Sequence, residues 1–157
     1  MNGQDLHWYA IKVFWRRTAP MNEVFEDRCI EYYSQSILPS YMFIHTDDCT
    51  ARKLREEFFG KFYLYADRKT KEPIVVPDKE MEIFIIVTSS GDTGLQFLDD
   101  DPAKYQTGDK VRVIDGPFKG TEGYVKRIKK DRRLVVTLSG IVAVATSYIP
   151  PELLEKI

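Results

Sequence analysis

The stretch Val111-Arg112-Val113-Ile114-Asp115-Gly116-Pro117-Phe118-Lys119-Gly120-Thr121-Glu122-Gly123 decides how the second half of the chain is read. It opens as an alternating apolar and polar run, passes through an Asp-Gly-Pro turn, and returns through Gly123 into Tyr124 and Val125. That order predicts a strand, a turn and a return strand. Gly116, Gly120 and Gly123 do not form a phosphate loop: the spacing and the terminal Lys-Ser/Thr are missing, and a strand follows in place of a helix. Turns and close strand packing account for them, with Gly120 read as the point where the backbone runs too close for a Cβ.

Outward from this stretch, four β-rich segments recur at short spacing, at 110–114, 123–128, 134–139 and 142–148, with turn signals at 115–117, 130–132 and 139–140. Isolated hairpins are marginal in water, so these segments are expected to close as a small barrel. Pro150 and Pro151 end the last strand before a short turn at Leu153 and Leu154. Upstream, 88–106 carries Ser89, Ser90, Gly91, Asp92, Gly94, the acidic run Asp99 to Asp101 and Pro102, and reads as a linker.

The first domain is expected over 6–87. The run Trp8 to Trp15 is aromatic and β-branched, hence a strand, and Ile37 to Thr46 is a second one with Pro39 at its entry. A short helix after Pro20 and an extended 29–33 lie between them. Asp47 or Asp48 offers an N-cap, Ala51, Leu54 and Phe58 recur at helical spacing, and Gly60 supplies the stop. Short strands at 62–66 and 73–76 suggest a hairpin. A helix from Asp78 should present Met81, Phe84 and Ile85. The order β-α-β-α-β-β-α predicts an α+β fold, an antiparallel sheet flanked by helices, followed by the barrel over 107–157.

Composition agrees with packed domains: 157 residues, 43% hydrophobic, 13% aromatic, 30% charged, net charge -1. No apolar run approaches the roughly 20 residues of a membrane span, and the opening residues lack a basic and then apolar leader, so a cytoplasmic protein is expected. Cys29 and Cys49 lack zinc-site spacing. Only His7 and His45 could serve as imidazole bases, and no serine or cysteine stands in a nucleophile context. No catalytic residue, metal or cofactor is expected. Between Arg112 and Arg133 eight basic residues face three acids, a local +5, either a nucleic-acid patch or a solvated hairpin.

Read as a unit, 108–125 resembles the KOW motif of NusG-type factors and of some ribosomal proteins. Trp8 to Val13 resembles the opening strand of the NusG N-terminal domain, and Leu38-Pro39-Ser40-Tyr41-Met42-Phe43-Ile44 resembles its Phe-Pro-Gly-Tyr-Val segment, with Ser40 in place of the glycine. The chain is thus identified as similar to NusG, an N-terminal domain plus an SH3-like KOW barrel. Residues 81–98 and the tail from Ser139 look most like the UpxY-type factors that antiterminate capsular polysaccharide operons. The segment between Tyr33 and Ile37 is shorter than the basic loop of relatives.

This resemblance implies a transcription elongation and antitermination factor that binds the β′ clamp helices of RNA polymerase through Leu38, Tyr41 and Phe43, with Phe14 and Trp8 nearby. It implies DNA contact by Arg16 and Arg17 on the non-template strand. It also implies a barrel partner at Phe118, Lys119 and Arg127: a small-subunit ribosomal protein, the termination factor Rho, or nascent RNA. The alternative is an RNA-binding or ribosome-associated KOW protein.

Overall fold

The computed structural model describes residues 5–16, 18–38, 40–99, 109–128, 130–138 and 141–157. Its contacts divide the chain into two compact units, Met1–Asp78 and Lys79–Ile157. Both are built on antiparallel sheets, as an α+β protein requires.

In the first unit, β1 (His7–Val13), β2 (Glu31–Tyr33), β3 (Tyr41–Thr46) and β4 (Phe62–Leu64) form one sheet in the order β2-β3-β1-β4. Tyr9 lies opposite Ile44 and Ile11 opposite Met42, so these residues share one face. Helices α1 (Thr18–Asp27) and α2 (Asp48–Glu57) cover that face, and Met21, Phe25, Ala51 and Leu54 complete the core. The N-cap of α2 is Asp47, whose carboxylate accepts from the Thr50 N–H at 2.8 Å. Gly60, at φ +88°, turns the chain after it.

Three expectations about this unit are corrected. The second strand begins at Tyr41 and not at Ile37, because the chain turns before it, with the Leu38 N–H donating to the Gln35 carbonyl at 2.9 Å. The first strand stops at Val13, because Trp15 adopts φ 61° inside a 3-10 turn over Phe14–Arg16. The second arm of the 62–76 hairpin is reduced to bridges, Ala66 to Pro73 and Trp8 to Val76. Pro73 and Pro77 lack the N–H groups that a regular ladder needs.

The second unit opens with α3 (Asp78–Thr88), which buries Met81, Phe84 and Val87 and leaves Ile85 only half-buried. A six-stranded sheet follows in the order β10-β6-β7-β8-β9-β5. Its members are β5 (Gln96–Asp99), β6 (Lys110–Val113), β7 (Glu122–Ile128), β8 (Asp131–Leu138), β9 (Val142–Tyr148) and β10 (Leu154–Lys156). The strand β5 falls inside the segment read as a linker: it pairs with β9, and Leu98 packs on Val135, Ala143 and Ala145. Likewise the anticipated turn at Leu153 and Leu154 leads into β10, which pairs with β6.

The glycines also differ from expectation. A Cβ on Gly120 would meet nothing within 4 Å, and this residue serves the turn through φ +89°. The close approach is at Gly123, where a Cβ would stand 2.3 Å from the Val135 carbonyl oxygen.

Candidate functional site

Strand alternation sends Trp8, Ala10 and Lys12 to the sheet face opposite the α1/α2 core, together with their cross-strand partners His45, Phe43 and Tyr41. This face is a run of rings. Trp8 stacks on His45 at 4.7 Å between centroids, and Tyr41 stacks on Tyr65 at 6.2 Å. Tyr65 in turn meets the edge of Tyr63 at 5.2 Å. The Lys12 ammonium stands 5.6 Å from the Tyr41 ring centroid, a cation–π distance. Glu31, directly opposite His45 on the edge strand β2, approaches its Nδ1 to 2.7 Å.

The residues expected to contact a polymerase are therefore only partly brought together. Trp8, Tyr41 and Phe43 share this face, with Leu38 in the turn just before β3. Leu38, Tyr41 and Phe43 are buried, at 1%, 4% and 0% exposure. Trp8 is half-buried. Tyr63 is 47% exposed and was missed by sequence reading, although the alternation of Phe62 and Leu64 inward with Tyr63 and Tyr65 outward signals it.

Phe14 lies elsewhere. It lines an apolar groove of about 350 Å³ beside Val13, Trp15, Met21, Val24 and Phe58, on the helix side of the sheet. Trp15 is 86% exposed and Phe59 89%. Of the two arginines expected to touch DNA, Arg16 ends the 3-10 turn and Arg17 lies outside the described residues.

In the second unit, the turn between β6 and β7 is closed by backbone bonds from Gly120 N–H to the Val113 carbonyl at 2.8 Å and from Val113 N–H to the Thr121 carbonyl at 2.9 Å. Phe118 is tucked into this turn and buried, while Lys119 and Arg127 are exposed. Lys119 precedes β7 and Arg127 sits near its far end, so at a strand rise of roughly 3.3 Å per residue the two cations are well over 10 Å apart. They do not form one patch.

Much of the local positive charge is neutralised within the unit. Glu122 accepts Lys79 at 2.9 Å and is approached by Arg112 at 3.5 Å and Lys110 at 3.9 Å. The Lys79 bond foremost holds its carboxyl below the usual glutamate range. Arg112 also reaches Glu155 at 3.1 Å. Among the described residues, no cluster of His, Cys, Asp and Glu could hold a metal ion, and no helix is long and apolar enough to cross a membrane.

Comparison with known proteins bears on both units. A family model described as KOW motif matches residues 107–138. Over 34 residues, 22% of this chain, the sequence is 56% identical to the large ribosomal subunit protein uL24 of Bifidobacterium animalis subsp. lactis, and the match spans 31% of that protein's length. The solved structure described as "Domain interaction in Thermotoga maritima NusG" aligns over 98% of this chain and 98% of that one, with a TM-score of 0.51 at 17% identity. The chain therefore has the fold of NusG, with a KOW motif in its second unit.

Proposed function

We propose that this chain is a non-catalytic transcription elongation factor of the NusG kind, acting in the cytoplasm by binding RNA polymerase. The observation that carries this reading is the alignment of the fold with NusG along nearly the whole of both chains, with a KOW motif in the second unit. Fold alone does not specify function, so the aromatic sheet face supplies the second support. The rings accessible on it, half-buried Trp8 and exposed Tyr63, lie beside Lys12 and have the composition of an interface hot spot, and a partner helix touching them would meet rigid rings with little entropy to lose.

In this reading the partner surface is the β′ clamp helices. Trp8 and Tyr63 make the direct contact, and Leu38, Tyr41 and Phe43 form the floor that orients them. Phe14 borders the opposite side of the sheet, and Arg16 and Arg17 reach non-template DNA. The narrower role is antitermination at a capsular polysaccharide operon, supported by the likeness of 81–98 and of the tail to UpxY-type factors. The barrel would engage a small-subunit ribosomal protein, Rho or nascent RNA through Lys119 and Arg127.

The test is co-purification with core RNA polymerase together with a pause assay on a defined template. Tyr63→Ala is expected to weaken binding while leaving the melting temperature unchanged. Tyr41→Ala is expected to lose binding and some stability together. Full binding by both variants would overturn the assignment of this face. A second reading, a ribosome-associated KOW protein, is favoured by the local identity to uL24, and co-sedimentation with ribosomes in place of polymerase would select it.

A further inference from the structure

We propose that His45, held by Glu31, is a positioning residue that fixes the Trp8 indole in the orientation in which this ring meets a protein partner. The three residues form one row across three neighbouring strands, since Trp8 lies directly opposite His45 and His45 directly opposite Glu31. Cross-strand partners share a face, so all three side chains stand on the side of the sheet away from α1 and α2. The imidazole stacks on the indole at 4.7 Å between centroids, with 19° between the ring planes. Its Nδ1 lies 2.7 Å from the Glu31 carboxylate. A carboxylate only accepts, so Nδ1 carries the proton and donates, which sets both the tautomer and the plane of the imidazole.

The local fold places Glu31 for this contact. Helix α1 is closed by a left-handed residue, Cys29 at φ 57°. The Cys29 N–H donates to the Glu26 carbonyl at 3.1 Å and the Ile30 N–H to the Phe25 carbonyl at 2.9 Å. That pair of bonds stops a helix and turns the chain back, and β2 begins at the next residue, Glu31. The Glu31 side chain is 65% exposed and that of His45 22%. A contact so open to water adds little to the stability of a fold. What it supplies is direction: with Nδ1 tied to the edge strand, the imidazole presents a fixed plane to the indole.

Orientation matters to binding through entropy. An interface side chain that must be immobilised on association lowers affinity by a factor of roughly two to ten, and a ring already stacked in the free protein avoids that loss. Trp8 is half-buried, so part of the indole stays open to a partner while the imidazole covers one of its faces. This role rests on the reading that Trp8 touches the β′ clamp helices, in which Glu31 and His45 otherwise have no part.

Two quantities test it in the full chain carrying Trp15→Phe, which leaves Trp8 as the one tryptophan. These are the affinity for labelled core RNA polymerase and the nanosecond anisotropy decay of Trp8, which reports the freedom of its ring. Trp8→Ala sets the scale, with a loss of roughly thirtyfold or more for a hot-spot ring. Glu31→Ala is expected to weaken binding about two- to tenfold and to add a fast component to the decay, with the melting temperature unchanged. His45→Ala should do both at least as strongly; if it also lowers the melting temperature, Glu31→Ala decides. Glu31→Gln, whose amide oxygen still accepts from Nδ1, should keep the parent affinity and decay. Equal weakening by Glu31→Gln and Glu31→Ala would mark a direct charge contact with the partner and overturn the positioning role, as would a parent-like decay in Glu31→Ala. Loss of binding in Trp8→Ala with full affinity in Glu31→Ala and His45→Ala sinks the positioning role alone. Full affinity in Trp8→Ala sinks the polymerase reading of this ring and the positioning role with it.

Discussion

Replacing Gly123 by alanine tests whether a single missing side chain holds the β7–β8 pairing together. A Cβ built there would stand 2.3 Å from the Val135 carbonyl oxygen and 3.2 Å from Leu134 Cδ1. The first contact is with backbone and lies more than 1 Å inside ordinary van der Waals distance. A side-chain rotation cannot relieve it, so β7 must move away from β8. Overpacking of this kind costs about 1–3 kcal/mol, and separating the strands forfeits at least one ladder hydrogen bond, worth about 1 kcal/mol. A loss of about 3 kcal/mol in the second unit is therefore expected. Gly120→Ala is the control, since its Cβ would meet no atom and only φ +89° opposes it, at roughly 1–2 kcal/mol. Because the two tryptophans, Trp8 and Trp15, lie in the first unit, amide exchange at Tyr124 and Val135, which face each other across β7 and β8, is the better assay. About 3 kcal/mol corresponds to a fall in protection on the order of a hundredfold. The reasoning is refuted if Gly123→Ala protects these amides like the parent, or if Gly120→Ala is the more damaging change.

Three further predictions follow the same logic. Asp47→Ala removes the α2 cap, whose carboxylate accepts both the Thr50 N–H and the Thr50 hydroxyl at 2.8 Å, and should cost about 1 kcal/mol in urea titration. The Thr50 N–H holds the Asp47 carboxyl below the usual aspartate range, so this contribution is present above about pH 3.9 and is lost as pH falls through the lower folded value. A parent whose stability is flat between pH 5 and pH 2 would contradict it. Asp92 bridges the Gly94 and Ser147 N–H groups, each at 2.9 Å, which outweigh the upward push of burial on its carboxyl. Asp92→Ala should cost about 2 kcal/mol at about 1 kcal/mol per bond and expose 89–95 to limited proteolysis; an unchanged digestion pattern counts against the bridge. Trp15→Gly removes an 86% exposed ring from a residue at φ 61°, so the melting temperature should hold or rise by a few degrees. Tryptophan emission should shift to the blue as only half-buried Trp8 remains. A clear fall in melting temperature would show that the ring contributes packing.

The elements with strong local signals were legible in the sequence. Asp47, Ala51 and Leu54 marked α2 through a cap and helical spacing, and the alternating run 111–113 marked β6, because capping, turn chemistry and periodicity act over a few residues. The pairing of Tyr41 with Phe43, and of Met42 with Ile44, on opposite faces also follows from the strand period of two. The helix-covered face did not, since covering Met42 and Ile44 depends on α1 and α2 folding back from opposite sides of β3 in sequence. The strands β5 and β10 escaped notice for the same reason. Four and three residues long, they carry little pattern of their own and exist through pairing with β9 and β6.

The candidate site divides along the same line. The resemblance to NusG pointed to aromatic anchors at Trp8, Tyr41 and Phe43, and the local charge count to a basic hairpin. Only the tertiary structure buried Phe118, set Phe14 on the far side of the sheet, separated Lys119 from Arg127, and placed Arg127 against Arg132. It also moved the close backbone approach from Gly120 to Gly123. Local preferences are written into neighbouring residues, whereas register and burial arise from contacts between segments distant in the chain, which no single segment encodes.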